Sequence, residues 1–197
     1  MRTTTRRLAL AIFAATTLAA CSSSTNGSGN GNGGGGGGNG NADAIVQQLD
    51  GLPTTDLTDS EIAGLLQMRE EEKLARDVYD AMAAKWGLQI FDNISNSEQT
   101  HMDAVLALLE RHDLADPAAG MAAGEFTSPA LQTLYDGLIA QGSTSSTEAL
   151  RVGVAIEELD IADLQSLQTE TADLALVYDH LETGSEHHLD AFNRQLG

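Results

Sequence analysis

Residues 91–105 read FDNISNSEQTHMDAV, and within them Phe91, Ile94, Glu98, His101 and Val105 follow one another in steps of three and four. Such steps keep side chains on one face of an α-helix. Glu98 and His101 therefore occupy a face that Phe91, Ile94 and Val105 mark as apolar. A competing reading exists, because Ser95-Asn-Ser-Glu98 fits a capping box, which would put Glu98 at an exposed helix start. Phe91 and Ile94 carry the rhythm upstream of Ser95, so the helix is predicted to begin earlier and to hold Glu98 in its interior. It continues through Leu108 and is expected to end near His112 to Asp113.

Working outward, the chain from about Thr58 onward shows almost no strand pattern and several long segments of helical spacing. A first long helix opens with the capping-box pattern Thr58-Asp-Ser-Glu61 and runs to Gly87, with Leu65, Met68, Glu72, Ala75, Tyr79 and Met82 on its inner stripe. After the helix of residues 91–105 comes a looser stretch containing Pro117, Gly120 and Gly124, then a short helix over about Pro129 to Ala140. A third long helix, about Ser146 to Leu167, carries Leu150, Val154, Glu157, Ile161 and Leu164, with Asp160 beside them. The fourth, about Glu170 to Leu196, aligns Leu174, Val177, Tyr178, Leu181, Ser185, His188 and Phe192. Four long amphipathic helices with one longer crossover predict an all-α protein, an antiparallel four-helix bundle with a short extra helix in the crossover between its second and third long helices.

Every long helix thus interrupts its apolar stripe with a Glu or a His: Glu72, Glu98 with His101, Glu157, and His188. Isolated buried carboxylates are costly and persist when paired, hydrogen-bonded or bound to a cation. Glu and His at i and i+3 share a helix face and can address one metal region together. Carboxylates bridge cations and imidazoles bind one each, a mixture suited to iron or manganese. The charge cluster REEEKLARDVYD, residues 69–80, leaves Glu71 as the alternative to Glu72, and the His187–His188 doublet is resolved toward His188 by its stripe.

The chain starts differently. MRTTTRRLALAIFAATTLAAC has basic residues, then an apolar run too short to span a membrane, then small residues before Cys21, the one cysteine in 197 residues. Residues 1–20 read as a lipoprotein signal peptide, and Leu18-Ala-Ala-Cys21 resembles a lipobox whose cysteine is acylated. Residues 21–41, rich in Gly, Asn and Ser, read as a flexible tether, residues 42–57 as a lead-in, and 58–197 as the helical domain. The expected location is the bacterial cell envelope, with the lipid bilayer as partner through acylated Cys21, at the outer membrane where the host has one. Loss of Arg2, Arg6 and Arg7 on processing takes the formal charge from −19 to −22, which repels nucleic acid and attracts cations.

Four blocks in order, REEEKLARDVY, IFDNISNSEQTHMDAV, EELDIADL and GSEHHLDAF, resemble a ferritin-like domain-of-unknown-function family, number 2202, related in pattern to rubrerythrin. The resemblance implies a ferritin-like bundle with a di-metal centre. A symmetric centre of that kind has a second Glu-x-x-His on its fourth helix, whereas this chain has Ser185-Glu-His-His188. Asp160, three residues after Glu157, is the expected substitute for the missing carboxylate. No Cys-x-x-Cys pair exists, so redox chemistry here needs an external electron donor.

The function expected from these readings is a membrane-anchored protein that binds iron or manganese between four helices through Glu72, Glu98, His101, Glu157, His188 and Asp160. Its chemistry would be removal of an oxidant, as in a di-iron peroxidase, or oxidation of ferrous iron, with Tyr79 and Tyr178 placed to relay an electron. A homodimer is among the expected arrangements. The alternative is a non-catalytic helical interaction or cation-sequestering lipoprotein.

Overall fold

The computed structural model describes residues 38–197, with side chains from residue 44 onward. Cys21 and the signal and tether calls up to residue 37 lie outside the described residues. Among those described there are six helices and no strand: α1 (Gly38–Leu49), α2 (Asp59–Trp86), α3 (Gln89–Arg111), α4 (Pro129–Gly142), α5 (Ser146–Ser166) and α6 (Ala172–Leu196). No described helix is long and apolar enough to cross a membrane.

Local chemistry sets the ends. Thr58 and Glu61 form the reciprocal capping box at the start of α2, and Gly87 closes the helix in the left-handed conformation at φ 65°. Only Leu88 then separates Gly87 from α3, so the chain reverses at once. Helix α3 starts at Gln89, upstream of Ser95, and the Ser95 capping alternative falls. Helix α1 was not predicted: it crosses the expected boundary between tether and lead-in at residues 41 and 42. Its Ile45 and Leu49 bury against the core that includes Leu108 and Leu174.

Contacts between the long helices establish their directions. Tyr79 meets Phe91 and Glu72 meets His101, so α2 and α3 run antiparallel. Glu157 meets His188 while Gln165 meets Glu182, so α5 and α6 do the same. Phe91 packs on Phe192 and Arg111 pairs with Asp173, which sets α6 against α3. Tyr79 reaches Glu157, and Gly64 lies against Leu167, which sets α5 against α2. Helices α3 and α5 therefore run the same way, and the segment between them must travel the length of the molecule, carrying α4.

The interior is split. One apolar core gathers Tyr79, Phe91, Ile156 and Phe192 among others; a second gathers Leu65, Met68, Leu108, Leu164 and Leu181. Between them every long helix contributes buried polar groups: Glu72, Glu98, His101, Glu157, Asp160, Ser185 and His188. On α5 the buried face differs from the predicted stripe. Val154 and Ile161 are only partly buried, whereas Gly153 and Asp160 face inward. Gly153 does so because a Cβ there would come within 2.6 Å of the Phe192 ring.

The crossover is fastened to α2 by the charge cluster itself. Arg69 holds Asp116 through two hydrogen bonds of 2.9 Å and the Met102 carbonyl through a third. Glu70 accepts from the Thr127 amide and hydroxyl, and Lys73 donates to Asp77 and to the Ala122 carbonyl. Asp77 in turn accepts from the Gly124 amide, at the left-handed turn that glycine makes. Residues 69–73 are all buried.

Candidate metal centre

Antiparallel pairing of α2 with α3 puts Glu72 opposite the Glu98–His101 face, and pairing of α5 with α6 puts Glu157 opposite His188. His101 Nδ1 lies 2.9 Å from Glu98 Oε2 and 3.2 Å from Glu72 Oε2. His188 Nδ1 lies 2.9 Å from Glu98 Oε1 and 3.5 Å from Glu157 Oε2. Two ligand triads result, Glu72–Glu98–His101 and Glu98–Glu157–His188, each offering one atom per residue within 4.8 Å of the others. Glu98 belongs to both and turns a different oxygen to each, the arrangement of a carboxylate that bridges two cations. The two imidazole rings stack at 5.5 Å between centroids.

The donor set fits a cation. Glu72 Oε1, Glu98 Oε1, Asp160 Oδ1 and His188 Nδ1 are buried without a hydrogen-bond partner. Glu98 Oε1 and His188 Nδ1 are close together yet out of hydrogen-bond alignment, so neither satisfies the other. No lysine or arginine of the described residues pairs with the layer: Arg69, Lys73 and Arg76 are engaged by Asp116 and Asp77. Imidazole and carboxylate donors without thiolate suit iron or manganese.

Charge balance shows in the titration of these groups. Burial drives the Glu72 carboxyl up to about 8 against the pull of His101, and burial with repulsion from Glu98 takes Glu157 up to about 7. Burial opposes the Glu98 carboxylate too, but His188 and His101 hold it below its ordinary range. Burial disfavours charged His188, yet Glu98 and Glu157 raise it to about 10; Glu72 and Glu98 likewise raise His101 against burial. Apart from Glu98, these groups hold their protons more firmly than in water, and a cation entering the layer would displace them.

A family model described as "Uncharacterized protein domain (DUF2202)" matches residues 61–197, which include the whole polar layer. The chain belongs to the DUF2202 family. An uncharacterized protein of Methanocaldococcus jannaschii, MJ0754, is 46% identical over 154 residues, 77% of this chain and 83% of that protein. The crystal structure of hypothetical protein MJ0754 from Methanococcus jannaschii superposes with a TM-score of 0.72 at 48% identity, covering 74% of this chain and 84% of that one. Neither name carries an activity.

The structure brings Glu72, Glu98, His101, Glu157 and His188 together, as the stripes predict. Asp160 is buried in the same layer but outside both triads: its Oδ2 accepts a 2.6 Å hydrogen bond from Ser185, the residue at the position of the absent fourth-helix glutamate. His187 is exposed, and Glu71 is buried beside the triads without joining them. Tyr79 donates a 2.5 Å hydrogen bond to Glu157 Oε1, whereas Tyr178 lies in the second apolar core. Sequence reasoning missed the Ser185–Asp160 and Tyr79–Glu157 bonds, both of which join different helices. It also missed Gly184, where α6 passes so close to the His101 ring that no Cβ fits.

Proposed function

We propose that this DUF2202 domain is a ferritin-like bundle that binds two iron or manganese ions, one in each triad, with Glu98 between them. The observation that carries the reading is that one buried glutamate serves two histidine-containing triads while partnerless polar atoms remain around it. Bound there, iron or manganese would supply the electrons that reduce dioxygen or peroxide, and ferrous iron, as substrate, would be oxidised by the same oxidants. The chain's own residues orient and insulate. His101 and His188 give up their Nδ1 protons to become donors, Tyr79 fixes the direction of Glu157, and the apolar layers on either side exclude water. Electrons would come from an external donor, because the single cysteine of the chain offers no metal-thiolate relay.

We further infer from Leu18-Ala-Ala-Cys21 that the protein is tethered to the envelope by an acylated Cys21, the glycine-rich segment giving the domain reach. A Cys21→Ser form is then expected to leave the membrane fraction for the soluble one, which fractionation measures.

Elemental analysis of the full-length protein, beside its His101→Ala form, tests the metal reading. Near-stoichiometric iron or manganese in the first and clear depletion in the second is expected. Equal, negligible metal in both after aerobic and anaerobic preparation would instead support a non-catalytic module whose layer is held by protons alone.

A further inference from the structure

Beside the triads lies a small cavity whose walls differ from the polar layer. Leu74 and Ala75 of α2, Leu131 and Leu134 of α4, and Ile156 and Leu159 of α5 line it. Five acids border it too, among them Glu72, Glu98 and Glu157 of the two triads. The room inside is ≈ 20 Å³, where one water takes roughly 10–15 Å³. Its occupant is therefore little larger than a water molecule.

The surface that an occupant meets is nevertheless almost wholly apolar. Gln67 takes one oxygen of Glu71, Tyr79 one of Glu157 and Ser185 one of Asp160, while Glu98 turns its two oxygens to His101 and His188. The free oxygens Glu71 Oε2, Glu72 Oε1 and Asp160 Oδ1 are themselves buried. A water would need two to four polar partners, whereas a cavity walled by leucine and isoleucine stays dry and takes nonpolar guests such as xenon. Of the six apolar lining residues, Leu74, Ala75, Leu131 and Ile156 are buried, and Leu134 and Leu159 are partly exposed. The approach from solvent past α4 and α5 is thus apolar as well.

We propose that this chamber binds dioxygen and holds it beside the triads, so that dioxygen rather than peroxide is the oxidant the centre meets. The inference rests on reading the triads as a metal centre. A nonpolar diatomic gains contacts with the leucine and isoleucine side chains and gives up no strong hydrogen bond on leaving water. Hydrogen peroxide would forfeit the hydrogen bonds of both its O–H groups at such a wall. The choice of oxidant is then made by the side chains of α2, α4 and α5.

The test uses dioxygen itself as a paramagnetic probe of the metal-free full-length protein. Methyl NMR relaxation is compared under nitrogen and under pressurised dioxygen in wild type, Ala75→Val, which fills the chamber, and Leu159→Phe, which narrows its approach. Leu159 is partly exposed, so its variant folds even where Ala75→Val is overpacked. Expected is a severalfold greater effect of dioxygen on the Leu131 and Ile156 methyls than on those of Leu108 and Leu181 in the second apolar core, with the excess reduced in the variants. Hydrogen peroxide added under nitrogen should leave the Leu131 and Ile156 methyl shifts unchanged. Equal effects in the two cores, an excess that the folded variants retain, or a peroxide-induced shift of those methyls overturns the proposal and leaves the metal reading standing. Failure of the wild-type protein to hold iron or manganese in the elemental analysis overturns the metal centre, and with it the oxidant's role, even where the gas binds.

Discussion

Gly184 shows how closely single residues set the layer. Its Cα faces His101 Nε2 and Cε1, and any Cβ there collides with the ring. A glycine inside a helix ordinarily costs about 0.5–1 kcal/mol relative to alanine, so Gly184→Ala would stabilise an indifferent site. Here overpacking of roughly 1–3 kcal/mol works against that gain. The expected outcome is a folded but less stable protein with His101 displaced and metal content reduced, read by urea denaturation and elemental analysis of the same preparation. Glu98 and His101 themselves were legible from their spacing, because i and i+3 on a helix is a property of the chain alone. Gly184 was not, because its neighbour is on another helix.

Among elements, α2 does two jobs with one run of charge. Its inner stripe delivers Glu72, while Arg69, Glu70, Lys73 and Asp77 grip the crossover that returns the chain to the far end of the molecule. Lys73 and Asp77 are 2% and 3% exposed. Asp77→Ala would strand a buried ammonium and is expected to cost about 3–5 kcal/mol, a large part of a typical domain's stability. Equilibrium denaturation would show it as a lower midpoint, and proteolysis as new cleavage within residues 112–128. A run such as REEEKLARD reads as a solvated surface when the chain is considered alone. The seam becomes visible only when the crossover lies over it, supplying backbone amides and carbonyls as partners. The rotation of the α5 face has a similar origin: Gly153 admits Phe192, so α5 turns Asp160 inward and leaves Val154 and Ile161 only partly buried.

Across the whole molecule, the protons held by the layer make stability depend on pH. Glu72 and Glu157 move from an ordinary 4.5 to about 8 and about 7, and His188 from 6.5 to about 10. All three bind more protons folded than unfolded, so their contribution is complete below pH 4.5 for the carboxyls and 6.5 for His188. It is lost as pH rises through the folded values. The metal-free protein is therefore expected to melt at progressively lower temperature from about pH 5 to pH 9, by calorimetry. On the proposed metal binding, a divalent cation would replace those protons, so addition of manganese should flatten the decline and raise the melting temperature most at the alkaline end. Periodicity, caps and turn residues, which are local, were enough for the sequence by itself to determine the all-α class, the ends of the long helices and the five residues of the two triads. Only the tertiary structure decided that Glu98 is shared, that Ser185 holds Asp160, that Glu71 stays outside the triads and that α1 packs on the second apolar core. Each of those depends on the distance between side chains of different helices, which packing sets and spacing along one helix does not encode.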